Sequence, residues 1–419
     1  MNRTSLRRIL GSFVVTICGT VGATSAADVG VTLLADPPVK RALEFAERSE
    51  AAVLEDQARV CEVPAPPFKE AARGQLFKGL FESLGLRNVR VDAVGNVIGE
   101  RPGRSASPNL VFSAHLDTVF PEGTNVRVTR EGNVLRGPGI GDDCRGLAVV
   151  VGVIRALNAA RIETPGTITF VGTVGEEGLG DLRGVKHLFE KELKGRIDAF
   201  VSVDGAGLGI THVGVGSHRY RVAFTGPGGH SYGAFGMANP IHALGRAIEA
   251  ISAFEVPASP KTTFNVGRIG GGTSVNSIAF EAWMEVDMRS SDAKALGDVD
   301  AKFQRAVDEA VAAENARWGN RGAVTAKKDL VGDRAAGQTP KDSPIVQAAI
   351  SVTQALALEV SLDEGSTDSN VAMAHGIPAV TIDGGGRGRG AHSLGEWFDA
   401  TDSWKGTARA VLLALALAR

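Results

Sequence analysis

The sequence has few cysteines, almost no net charge and only one long apolar run. Three cysteines in 419 residues make no disulfide framework. None is needed, because a chain of this length buries an ample core. The formal charge of −2 excludes the basic surface that binds nucleic acid or an anionic membrane. Apolar residues at 43% and charged residues at 22% are ordinary globular usage, which excludes disorder, collagen and coiled coil as whole-chain descriptions. Glycine is the one excess, 53 residues against the ~7% average. It suits the tight turns of a site-bearing α/β protein better than a helical bundle. The length allows two or three domains.

The apolar run lies at the start. Arg3, Arg7 and Arg8 precede apolar residues 9–21 and the small residues Ala23, Thr24, Ser25, Ala26 and Ala27. This is the pattern of a secretory signal, residues 1–26, with cleavage expected after Ala26 or Ala27. The run is too short for the ~20 residues that span a bilayer. Arg7-Arg8 fits a twin-arginine route loosely, and the bulky Ile17 before Cys18 argues against a lipoprotein signal. Cleavage removes three arginines and no acid, taking the charge from −2 to −5. No later run is long enough to span a membrane, so the mature chain is expected to be soluble, exported to the periplasm or secreted. Cys61 and Cys144 then remain, and a bridge between them is open in an oxidising compartment.

Along the mature chain, residues 39–57 read as an amphipathic helix, the Pro-rich 61–68 as a loop, and 71–84 as a second helix. Strand-like runs at 89–91, 97–99 and 109–113 precede a long buried helix over 145–158. Residues 166–173 and 199–203 are continuous apolar runs, the mark of a sheet covered on both faces. The texture changes near Gly216. Strands at 219–224, 262–269, 279–288 and 323–330 alternate with helices at 240–254 and 293–318. That order is strand–helix–strand–strand–helix–strand, a small ferredoxin-like unit. The buried texture returns with a helix at 343–356 and a strand at 379–382. The expected architecture is a mixed-sheet α/β catalytic domain, 27–216 and 331–419, interrupted by an α+β insertion, 217–330.

Five positions at strand ends or in loops carry chemistry. His115 and Asp117, in SAHLDT, share one face of an extended chain, and a nearby carboxylate is what fixes the tautomer of a ligand histidine. A buried histidine satisfied by an aspartate would look the same. Asp142 and Asp143, in GPGIGDD, open the buried helix. Helix capping explains one of these acids but strains to explain both. Glu176 and Glu177, in GEEG, follow an apolar strand, where open α/β sheets place their sites. Asp204 ends the next such strand. His392, in GAHSLGE, follows the last. Any one of these reads equally as capping, solvated loop or buried polar pair. Together they supply too many histidine and carboxylate ligands for one structural zinc. They suit two metals ~3.5–4 Å apart that share a carboxylate.

The ordered set SAHLDTV, GPGIGDD, GEEG, Asp204, GPGGHS and GAHSLGE resembles the co-catalytic zinc exopeptidases and deacylases, the family of glutamate carboxypeptidase, tripeptidase T and aminoacylase. The resemblance runs from about Val39 to the C-terminus. It implies that Asp142 bridges two zinc ions or other divalent metals, that His115 and Asp204 complete one site, and that Glu177 and His392 complete the other. It implies that Asp117 orients His115, that Glu176 is the general base acting on a water bridged between the metals, and that the Asp142–Asp143 peptide is cis. In the insertion it implies substrate contacts from His230, Asn276 and Arg289, with His230 able to act on a partner subunit in a homodimer formed through this lid. Arg289 reads otherwise as a surface charge at a strand end, and His230 as a turn histidine. The chain departs from the family at Cys144, where a lysine is common. That leaves a thiol role for Cys144 open, without a cysteine–histidine–asparagine context to support it.

The implied reaction is hydrolysis of the amide bond of short peptides, or alternatively of N-acyl amino acids. Two further readings are a catalytically dead binding protein on this scaffold and a purely structural metalloprotein, in which chelation would unfold the chain. The run Gly205-Ala206-Gly207-Leu208-Gly209 mimics a dinucleotide turn, but lacks the spacing and the following helix.

Overall fold

The structure, a computed structural model, describes residues 28–419; the expected signal segment lies outside the described residues. Its centre is a nine-stranded mixed sheet. From one edge the strands are Arg87–Val91, Val97–Arg101, Thr167–Thr173, Asn109–His115, Ala199–Val203, Ala379–Ile382, Gly209–Gly214 and Gly337–Gln338, with Ser361–Gly365 also pairing Gly209–Gly214. The four strands from Thr167–Thr173 to Ala379–Ile382 run parallel. They are the apolar runs of the sequence, and they are buried because helices cover both faces. One face packs against Pro37–Arg48, Cys144–Ala159, Pro344–Ala355 and Trp404–Leu417. The other packs against Leu182, Val185, Leu188 and Val371 to Met373. All four parallel strands therefore end on the same side of the sheet, the side on which such folds carry their sites.

Local differences from the expectation have local causes. The helix expected over 39–57 is two helices, Pro37–Arg48 and Glu50–Cys61, broken at Ser49. The break places Glu50 against the fully buried Arg145, 3.1 Å away. Helix Val29–Ala35 and the short sheet of Thr129–Glu131, Val134–Arg136, Trp397–Asp399 and Arg387–Arg389 were not anticipated. That sheet matters: Trp397 pairs with Arg136, which fastens the His392 loop to the loop carrying Asp142. Close packing against that sheet accounts for glycine at position 386. A Cβ on Gly386 would lie 2.5 Å from the Phe398 ring, closer than any packing tolerates. After Gly209 the chain enters a strand rather than a helix, so the dinucleotide resemblance ends there.

A second, four-stranded sheet is wholly antiparallel, in the order Thr262–Gly271, Glu281–Ser290, Gly216–Thr225, Thr325–Arg334. Two helices, Pro240–Ser252 and Ala293–Arg317, cover one face with their own core around Val222, Phe224, Met284 and Phe303. Strict alternation along Glu281–Ser290 places one set of side chains in that core. Strand order and connection match the ferredoxin-like unit read from the sequence.

Candidate metal centre and active site

His115 is the last residue of a buried strand. Its Nε2 lies 3.0 Å from Asp142 Oδ1 and 3.8 Å from Asp204 Oδ1. Its Nδ1 lies 3.1 Å from the Asp117 carbonyl oxygen and 3.7 Å from Asp117 Oδ1. A proton held on Nδ1 by Asp117 leaves the Nε2 lone pair facing the two aspartates, as a metal ligand requires. Asp117 is itself immobilised. Its two carboxylate oxygens accept the backbone amides of Glu176, at 3.0 Å, and Glu177, at 2.8 Å. One buried acid thus aligns the SAHLDT strand end with the GEEG loop.

Asp142 faces both ways. While Oδ1 meets His115, Oδ2 lies 3.2 Å from His392 Nε2, and that nitrogen is 3.0 Å from Glu177 Oε1. The donor atoms of His115, Asp142 and Asp204 lie within 4.8 Å of one another, as do those of Asp142, Glu177 and His392. A third such group joins His115 to Glu176 and Glu177. The first two groups are the two ligand sets the resemblance implied, with Asp142 common to both. The Asp142–Asp143 peptide is cis.

The chemistry of this donor set fits divalent metals. Three carboxylates converge with two imidazoles and little else to balance them. Despite burial, His115 and His392 hold the Asp142 carboxyl well below the usual range. Asp142 and Glu177 lift His392 to about 10. Against burial, hydrogen bonds to Asp117 and Asp142 raise His115 well above 6.5. Nitrogen and carboxylate donors with neutral imidazoles suit zinc and similar ions.

Capping and ligation divide between the adjacent aspartates. Asp143 caps helix Cys144–Ala159, accepting from Gly146 N at 3.0 Å. It also accepts from His115 N at 3.0 Å and Gly205 N at 3.2 Å. A single buried carboxylate thereby draws together the segments that carry His115, Asp142 and Asp204. Glu396 does the same for the loop before the helix, accepting from Gly139, Gly141 and Asp142 at 2.8, 2.8 and 3.0 Å. Its role was missed; the GAHSLGE motif contained it without showing what it would bind. Arg73, fully buried, donates to the carbonyls of Val63, Leu116 and Cys61, and burial lowers it to about 10.

A cavity of about 460 Å³ opens beside these groups. Asp142, Glu176, Glu177, Asp204 and His392 line one side; Arg219, Arg289 and Arg334 reach it from the second sheet. Arg289, which the resemblance implied as a substrate contact, lines the cavity; Arg219 and Arg334 were not foreseen. Arg334 is buried and donates to Glu176 Oε1 at 3.0 Å and to Ser366 Oγ at 3.1 Å. Its other arm meets the Glu176 carbonyl oxygen. Burial pushes the Glu176 carboxyl up to about 8 against the pull of Arg334 and His115. His230 and Asn276 lie elsewhere. They sit together where the short strands Gly229–His230 and Ser277–Ile278 pair antiparallel, Ser231 N bonding to Asn276 O at 2.9 Å, and neither lines the cavity. Cys144 is no free thiol, because it is joined to Cys61 in a disulfide.

The sequence pattern described as "Peptidase family M20/M25/M40" matches residues 111–416. An uncharacterized protein of Bacillus subtilis (strain 168), YqjE, is 27% identical over 347 residues, 80% of this chain and 90% of that one. Carboxypeptidase G2 of Pseudomonas sp. (strain RS-16) is 29% identical over 171 residues, 38% of this chain and 40% of that one. Among solved structures, the aminopeptidase PepT of Bacillus cereus ATCC 10987 superposes with a TM-score of 0.70 at 21% identity, covering 88% of this chain and 99% of that one. The last comparison supports the fold alone. The pattern match spans most of the chain and both ligand sets, so the chain belongs to peptidase family M20/M25/M40, the dinuclear metal-binding hydrolases of peptide and amide bonds.

Proposed function

We propose that the chain is a zinc-dependent exopeptidase that removes a terminal residue from short peptides. One observation carries the reading: a single carboxylate, Asp142, spans His115 and His392 at 3.0 and 3.2 Å, with Glu176 lining the same cavity. His115 and Asp204 would hold one ion, Glu177 and His392 the other, and Asp142 both. Bound there, the ions supply Lewis acidity toward a carbonyl oxygen and acidify water. Glu176 takes the proton of the attacking water and returns it to the leaving amine. Arg334 fixes Glu176 in place, and Asp117 orients His115. Arg289 offers a guanidinium fork to a substrate carboxylate; its Nε is engaged by Asp287 at 2.8 Å, leaving the terminal nitrogens for that carboxylate.

The alternative is deacylation of N-acyl amino acids, which present the same carboxylate to Arg289; relatives of the chain include deacetylases as well as peptidases. A panel of dipeptides, tripeptides and N-acyl amino acids decides between them. Glu176→Gln should lose about 10²–10⁴-fold in kcat while keeping its metal. A variant that kept most of its turnover would remove Glu176 from the role.

Two further features belong to the same reading. The N-terminal signal pattern and the Cys61–Cys144 disulfide both suit an exported protein, periplasmic or secreted. No helix of the described residues is long and apolar enough to cross a membrane. The two segments bearing His230 and Asn276 also expose Tyr232, Phe235, Val275 and Phe280. Exposed apolar side chains gathered in this way suit a partner. A second copy of the chain, seated on this face, would form a homodimer and could receive His230 and Asn276 near its own cavity.

A further inference from the structure

We propose that the Cys61–Cys144 disulfide positions the metal site: it holds the loop carrying Asp142 against the segment that carries His115, and tight metal retention depends on it. The inference rests on the dinuclear reading above. Cys144 is the first residue of helix Cys144–Ala159, two residues past Asp142, and Cys61 is the last residue of helix Glu50–Cys61. Their Cα atoms are 5.4 Å apart, and both side chains are fully buried.

What the bridge joins is more telling than the bridge itself. On the Cys144 side is the glycine-rich loop 137–143. Its far flank is gripped by Glu396 through three amides. Its near flank is gripped by the helix that ends in Cys61: Gln57 Nε2 donates to Ile140 O at 2.7 Å. On the Cys61 side, the Cys61 carbonyl accepts from Arg73, and the same guanidinium donates to Leu116 O at 2.8 Å. Leu116 lies between His115 and Asp117. Thr118 N in turn bonds to Ala65 O at 3.0 Å, so residues 61–65 run alongside the His115 segment. The disulfide therefore closes a circuit from Asp142 through Cys144, Cys61 and Arg73 to the strand end that carries His115. Groups that orient a ligand tune metal affinity almost as strongly as ligands do.

The test compares metal binding with and without the bond. Apo wild-type protein, kept oxidised, is titrated with Zn²⁺ against a chromophoric chelator. The Cys61→Ala/Cys144→Ala protein, which has no thiol at either position, is titrated alongside it. A third sample is wild type reduced by a water-soluble phosphine. There the phosphine is oxidised to its oxide with an oxygen from water, its two electrons break the S–S bond, and the two protons of that water complete two thiols. Near-UV circular dichroism, recorded well below the melting temperature, establishes that each sample is folded. The expected result is two ions per oxidised chain, and affinity about 10–100-fold weaker in the folded samples without the bond. Equal affinity with and without the bond, even with a lowered melting temperature, would reduce the bridge to a staple and overturn the proposal. Oxidised wild type that takes up no Zn²⁺ would instead overturn the dinuclear reading, and the proposal with it. Should the double variant fail to fold, the reduced wild-type titration decides.

Discussion

Arg334 reaches from the last strand of the second sheet and donates to Glu176 Oε1 at 3.0 Å. The two residues are 158 positions apart, and both are buried. The second sheet thus supplies the cation that fixes the Glu176 carboxylate. A buried, charged hydrogen bond of this kind is worth about 1.5–3 kcal/mol.

Arg334→Ala should therefore lower kcat/KM by about 10–100-fold, the rate equivalent of that bond, with metal content unchanged. Arg334→Lys keeps the charge but loses the planar fork, and should fall between. Steady-state kinetics with metal analysis on each variant checks this. Full activity in Arg334→Ala would show that Glu176 needs no such partner.

Asp117 offers acceptors to two backbone amides at once. Asn in its place keeps one acceptor and turns an NH₂ toward the amide of Glu176 or Glu177, donor against donor. Asp117→Asn should weaken metal binding by about 10–100-fold, measured by competition with a chelator. Unchanged affinity would mean that orientation of His115 does not rest on Asp117.

The second sheet has its own buried acid. Glu314 accepts from Asn239 N at 3.1 Å, Arg246 Nε at 3.1 Å and Trp318 Nε1 at 3.0 Å. Although burial raises it, these hydrogen bonds hold its carboxyl below the usual 4.5. A depressed folded value means that the ionised form stabilises the fold above the unfolded range, and that this stability is lost as pH falls through the folded value. Glu314→Gln should cost about 1–3 kcal/mol near pH 7. The gap in melting temperature from wild type should narrow below about pH 4. A gap independent of pH would place the loss in packing rather than charge.

The candidate ligands were legible because each lies in a short motif, most of them just after an apolar strand. His115, Asp204 and the GEEG pair sit where a parallel strand must end, and a period-two or continuous apolar run locates that end without any tertiary knowledge. The second sheet was legible from the alternation along 219–224 and from the order of its strands and helices. What escaped were partners chosen by distant backbone. Glu396 binds three amides more than 250 residues away, and amides leave no trace in side-chain sequence. Arg334 ends a strand with nothing local to mark it, and Arg73 serves three carbonyls. The break at Ser49 has no glycine or proline to announce it; the burial of Glu50 against Arg145 demands it. The Cys61–Cys144 bridge was left open by the sequence, because whether two cysteines 83 residues apart meet depends on the packing of two helices.

The central claim is that Asp142 joins two metal sites that perform amide hydrolysis. Metal analysis of the purified protein, with hydrolysis of the peptide and N-acyl amino acid panel before and after chelation, tests it most directly. The account predicts two divalent ions per chain, and cleavage that chelation abolishes with the fold retained and that restored zinc recovers. A chain that binds no metal and cleaves nothing after zinc is restored would contradict it.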